Sequence, residues 1–89
     1  MAVTVTLYHA AGCHLCEDAR AELLGLGQEL GFELEEVEID GVRELEQRYR
    51  ERVPVVELDG REVATYYVFP GPFRRAFEAA QSRADPATS

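Results

Sequence analysis

The chain carries two cysteines, and they stand three residues apart as Cys13-His14-Leu15-Cys16. The sequence changes character across this pair. Before it, Thr4-Val5-Thr6-Leu7-Tyr8 is rich in β-branched and aromatic residues and reads as a strand. After it, Leu15, Ala19, Leu23, Leu26 and Leu30 recur at steps of four, four, three and four, the apolar stripe of a helix. Only His9 to Gly12 separates the two patterns, so the cysteines sit at a strand-to-helix junction. Three-residue spacing on one helical turn brings two sulfurs within bridging range. A bridge closing so short a loop adds little cross-linking entropy, which argues for a chemical rather than a structural role.

The rest of the chain continues the alternation of elements. Gly25 and Gly27 weaken the first helix, and Gly31 is its expected stop. Phe32 to Ile39 reads as a second strand whose alternation slips between Leu34 and Val37, pointing to an edge or a bulge near Glu35-Glu36. A short helix follows, with Val42, Leu45 and Tyr49 on one side and Glu44/Arg48 and Glu46/Arg50 at pairing distance. Val53-Pro54 breaks it. Val55-Val56-Glu57-Leu58, the turn Asp59-Gly60 and the return Arg61 to Tyr67 read as a hairpin. A rigid Phe69-Pro70-Gly71-Pro72 connection leads to a last helix with Phe73, Ala76, Phe77 and Ala80 as its apolar stripe. The order βαβαββα predicts an α/β sandwich, a mixed four-stranded sheet with helices on both faces. The two βα steps predict parallel crossovers and the hairpin an antiparallel pair. Residues 1–82 form one domain in this reading, and 83–89 a flexible tail.

Composition excludes several classes of function. Nine basic against seventeen acidic residues give a formal charge of −8, unsuited to a nucleic-acid backbone. All nine basic residues are arginine, so Schiff-base chemistry and a lysine-bearing phosphate loop are absent. No apolar run approaches the length of a membrane span, and no secretory signal opens the sequence. The expected compartment is the cytoplasm, and the expected state a monomer without resident cofactor or metal.

A cysteine at a helix N-terminus gains from unpaired N–H groups and a partial positive charge, both of which stabilise a thiolate. The thiolate is the attacking species. Cys13, nearest the loop, is the candidate nucleophile; Cys16, one turn in, is the candidate resolving thiol. A redox couple is one reading of the pair, a metal or iron–sulfur carrier using Cys13 a second, and an inert pair a third. His14, if protonated, adds positive charge beside Cys13, or it is an exposed side chain with no effect. Glu17 and Asp18 oppose it, since carboxylates raise a nearby thiol pKa. A protein-interaction scaffold, with Tyr66, Tyr67 and Phe69 as its contact surface, is the non-enzymatic alternative.

Pro54 is the second informative position, because a proline here begins a strand or lies at an edge. Taken together, Tyr8-x4-Cys13-x2-Cys16 after a first strand, Val53-Pro54-Val55 before a third and Asp59-Gly60 in the next turn resemble the glutaredoxin-like branch of the thioredoxin superfamily. The resemblance spans roughly residues 3 to 80. It implies a thioredoxin/glutaredoxin-like fold and thiol–disulfide oxidoreductase activity on protein or low-molecular-weight disulfides. It also implies glutathione or another thiol as reductant, a cis Pro54 facing the cysteines, and Val53-Pro54 as the substrate platform. In such a platform the backbone of Val53 pairs with an extended substrate as a strand would. Two positions depart from glutathione-using relatives. His9-Ala10-Ala11-Gly12 lacks a basic residue before the first cysteine, and Ala64 to Pro72 lacks the glycine-and-aspartate motif before the last helix.

Overall fold

The first strand forms as β1 (Val5–His9), and the helical stripe after the cysteines as α1 (His14–Leu30). The computed structural model describes residues 3–84; the residues before Val3 and the tail positions 85–89 lie outside the described residues. Cys13 is the N-cap of α1, in extended conformation, and Gly31 closes the helix at a positive φ of 82°, its N–H donating to the Gly27 carbonyl at 2.8 Å. The left-handed conformation is why glycine stands there. β2 (Leu34–Glu38), α2 (Arg43–Tyr49), β3 (Val55–Leu58), β4 (Arg61–Thr65) and α3 (Pro70–Ala84) follow.

The sheet order is β2-β1-β3-β4. β1 and β2 are parallel, joined by the long crossover of α1. β3, however, runs antiparallel to β1, which overturns the expectation of a second parallel crossover. The reason is reach. A helix of seven residues advances only about 10 Å, less than a five-residue strand, so α2 cannot return the chain to the far end of the sheet. β3 starts near where β2 stops and runs back. β3 and β4 then form the expected antiparallel hairpin, with Asp59 and Gly60 both at positive φ.

Two apolar clusters occupy the two faces. On one, Val5, Leu7, Val56 and Leu58 of the sheet meet Ala19, Leu23 and Leu26 of α1 and Phe73, Phe77 and Ala80 of α3. On the other, Ile39 and Val55 pack with Tyr49 of α2, flanked by Tyr8, Leu45 and Val53. This two-sided burial explains the slipped alternation around β2. Phe32 and Leu34 face the α1/α3 core; Val37 aligns with Tyr8, and Ile39 enters the α2 cluster. No bulge interrupts the β1·β2 ladder, which runs unbroken from Val5↔Leu34 to His9↔Glu38. β2 is an edge strand, as one of the two expectations had it. The irregularity lies instead in the hairpin, where the ladder shifts between Val56 and Glu57.

The helix pairs expected on α2 are replaced by other partners. Glu46 accepts the Gly41 N–H at 3.1 Å, tying down the turn before the helix, and the Arg48 guanidinium lies over the Tyr49 ring.

Candidate active site

The loop His9–Gly12 delivers Cys13 to the head of α1, and two bonds from the end of β2 fix it. Ile39 N–H donates to the His9 carbonyl at 2.9 Å, and Ala11 N–H donates to the Asp40 carboxylate at 2.7 Å. Asp40 is a positioning residue that sequence spacing could not reveal, because it lies 29 residues from its partner.

Cys13 and Cys16 are joined as a disulfide, with Cα atoms 5.2 Å apart. The Cys13 sulfur accepts the backbone N–H of Cys16 at 3.1 Å, the bond a capping side chain makes to a free first-turn donor. The same N-cap position sets the Cys13 sulfur at the positive end of a 17-residue helix. The two sulfurs differ in access: Cys13 is partly exposed, whereas Cys16 is 4% exposed beneath the first turn. His14 points into solvent, its side chain 97% exposed, with Nδ1 3.5 Å from the Glu17 carboxylate. Glu17 is thus near enough to offset the charge His14 carries when protonated.

A cleft of about 290 Å³ opens beside the disulfide, walled by His9, Gly12, Cys13, Cys16, Arg20 and Glu36. Arg20 Nε donates to Glu36 at 2.6 Å and closes one side of it. Neither residue carries a sequence signal, since the pair joins α1 to β2 across 16 positions. Tyr8 lies on the opposite face of the sheet, stacked on Tyr49 with ring centroids 4.2 Å apart.

Val53 and Pro54 stand at the same end of the sheet as the cysteines, because Tyr8 of β1 aligns with Val55 of β3. The Val53–Pro54 peptide is cis and Pro54 is fully buried. The Pro54 carbonyl accepts Tyr66 N–H at 2.9 Å. Among the described residues, the amide and carbonyl of Val53 have no hydrogen-bond partner.

A family model described as Glutaredoxin-like domain (DUF836) matches residues 4–81, nearly the whole chain. The chain belongs to this glutaredoxin-like family. A curated relative of the glutaredoxin-like chain, an uncharacterized protein of Mycobacterium tuberculosis, is 38% identical over 63 residues, and the match covers 65% of each chain. Solved structures agree. A solution structure of protein Ne2328 from Nitrosomonas europaea superposes with a TM-score of 0.75 at 32% identity, covering 85% of this chain and 92% of that one. A crystal structure of a protein from X. campestris reaches 0.68 at 34%, covering 85% and 97%. Thioredoxin from Fasciola hepatica, at 20% identity, a TM-score of 0.64 and coverage of 89% and 81%, shows the shared fold. The glutaredoxin-like protein is therefore an α/β protein of thioredoxin-like fold with a close cysteine pair at the head of its first helix. Among the described residues, no helix is long and apolar enough to cross a membrane.

Proposed function

We propose that this glutaredoxin-like protein is a thiol–disulfide oxidoreductase that reduces protein or low-molecular-weight disulfides in the cytoplasm through the Cys13–Cys16 couple. The observation that carries the reading is the asymmetry of the pair: a partly exposed Cys13 capping α1 beside a buried Cys16. The Cys13 thiolate attacks one sulfur of the substrate disulfide, forming a mixed disulfide and releasing the other half as a thiolate, which takes up a proton. Cys16 loses its proton and attacks the Cys13 sulfur. The bond from Cys13 to the substrate breaks, the second thiolate leaves, and the Cys13–Cys16 bond forms. Two electrons have passed to the substrate. Glutathione or another thiol restores the dithiol.

Val53-Pro54 serves as the platform, with the free backbone groups of Val53 pairing an extended substrate. His14, when protonated, adds a positive charge near the attacking sulfur, which Glu17, 3.5 Å from its Nδ1, offsets in part.

The test uses hydroxyethyl disulfide as substrate. Cys13→Ser abolishes reduction, and Cys16→Ser accumulates a mixed disulfide on Cys13, read as an added mass that reductant removes. Full dithiol activity in Cys13→Ser would overturn the proposal. Equilibrium titration of the wild-type protein is expected to give a reversible two-electron transition between roughly −300 and −120 mV.

A further inference from the structure

Six large apolar side chains are exposed among the described residues, and three of them fall within four consecutive positions: Tyr66, Tyr67 and Phe69, at 43%, 56% and 62%. Their clustering needs a reason, because scattered exposed apolar residues are ordinary and contiguous ones are not. They form one wall of a groove of about 530 Å³ whose other wall is α1, contributing Asp18, Ala21 and Glu22. Tyr67 and Phe69 lie side by side, ring centroids 6.3 Å apart.

This groove continues the platform at Pro54. Tyr66 N–H is bonded to the Pro54 carbonyl, and the Tyr66 hydroxyl donates to the Glu51 carbonyl at 2.7 Å. The two bonds hold Tyr66, at a positive φ of 68°, against the chain on either side of Val53. On the opposite wall, Asp18 follows Cys13 by five residues, about 7.5 Å along the helix axis. The groove thus opens at the end of the sheet that carries Cys13 and Val53, since β4 ends where β3 begins and β1 ends.

The walls specify a charge. Rings on one side attract a cation to their faces, and carboxylates on the other attract the same charge. Two arginines near the walls are committed elsewhere: Arg74, close to Glu22, makes two bonds to Glu29 at 2.5 and 2.7 Å, and Arg52, close to Tyr66, pairs with Glu62. A lysine or arginine side chain fits such a groove, its stem on the rings and its head at the carboxylates. An anionic segment meets the same carboxylates and a chain of net charge −8.

We propose that Tyr66, Tyr67 and Phe69, facing Asp18 and Glu22, form a docking groove for a cationic polypeptide segment flanking the disulfide of a protein substrate. The proposal rests on the reading of Cys13–Cys16 as an exchange couple, and it sets the substrate class of that couple.

The test takes two disulfide peptides that differ only in flanking residues, lysines in one and glutamates in the other, with hydroxyethyl disulfide as the small uncharged reference. The lysine peptide is expected to show a kcat/KM about tenfold above the glutamate peptide, the size of one or two such contacts. The ratio of lysine-peptide to reference kcat/KM falls about tenfold in Tyr67→Ser/Phe69→Ser, and the charge preference disappears in Asp18→Asn/Glu22→Gln. Equal rates for the two peptides, or a preference that survives in both double variants, overturns the groove. Serine analogues of both peptides, which cannot exchange, are titrated by fluorescence anisotropy. If hydroxyethyl disulfide is not reduced at all, the exchange reading fails, and anisotropy alone decides the groove. Selective binding of the lysine analogue, weakened in both variants, sustains it; equal binding of the two analogues ends it.

Discussion

At the scale of single residues, what matters is which polar atom meets which partner, and sequence patterning is blind to much of that. Tyr49 is an example. Its place on the apolar side of α2 follows from spacing with Val42 and Leu45, and it is 3% exposed in the structure. Its hydroxyl, however, donates to Glu57 of β3 at 2.8 Å, a contact that no periodicity encodes. Burial, reinforced by that hydrogen bond and by the Glu57 charge, pushes the Tyr49 hydroxyl up to about 12. In the unfolded chain the same group ionises near 10. Between these values the folded protein holds the proton and the unfolded chain does not, so stability falls as pH rises through this window. The contribution is whole below pH 10 and lost by about pH 12, roughly 2–3 kcal/mol in all. No lysine titrates in the same range, since the chain has none. Urea melts at pH 8 and pH 11, midway through the window, are expected to show about half of this loss in the wild type and a smaller change in Tyr49→Phe.

At the scale of elements, the helices and the hairpin were legible because each carries its own boundary signal. Gly31 ends α1, Asp59-Gly60 turns the hairpin, and Pro70 and Pro72 open α3. The direction of β3 was not legible in the same way. It depends on the length of α2, a quantity set where a helix stops rather than by its pattern. The two interior glycines of α1 show the same division between local and tertiary causes. A Cβ at Gly25 meets nothing within 4 Å, whereas one at Gly27 stands 2.9 Å from the Phe32 carbonyl oxygen. Gly27 thus allows the chain leaving the helix to fold closely back over it. Gly25→Ala is expected to stabilise by about 1 kcal/mol through helix propensity alone. Gly27→Ala is expected to lose that gain to displacement of the backbone, with a net cost of about 1 kcal/mol or more. Thermal melts read the difference: Tm rises by about 4–8 °C in the first variant and falls in the second. A rise in both would mean that the Phe32 turn yields without cost.

At the scale of the whole molecule, charge is distributed unevenly with respect to the cysteines. The stretch 43–52 holds four of the nine arginines against three glutamates, so the excess of acid lies elsewhere in the chain. This stretch leads directly into Val53-Pro54, while Glu17, Asp18 and Glu22 follow the cysteines on α1. The position of Cys13 and Cys16 in the fold was readable from sequence because strand, loop and helix signals converge on one junction. The field around them was not, since it sums groups that only the fold brings together. Glutathione disulfide carries about two net negative charges at neutral pH, and the molecule as a whole repels it. Raising ionic strength from 10 mM to 150 mM shortens the screening length from about 30 Å to about 8 Å. Its reduction is therefore expected to speed up with salt, by several-fold, while hydroxyethyl disulfide stays level. Stopped-flow rates across that range make the measurement. A rate for glutathione disulfide that falls with salt would mean that the arginines of α2, rather than the net charge, govern approach to Cys13. The same substrate would then be drawn to the Val53 side of the site, and the acidic wall of α1 would act only on segments that reach beyond it.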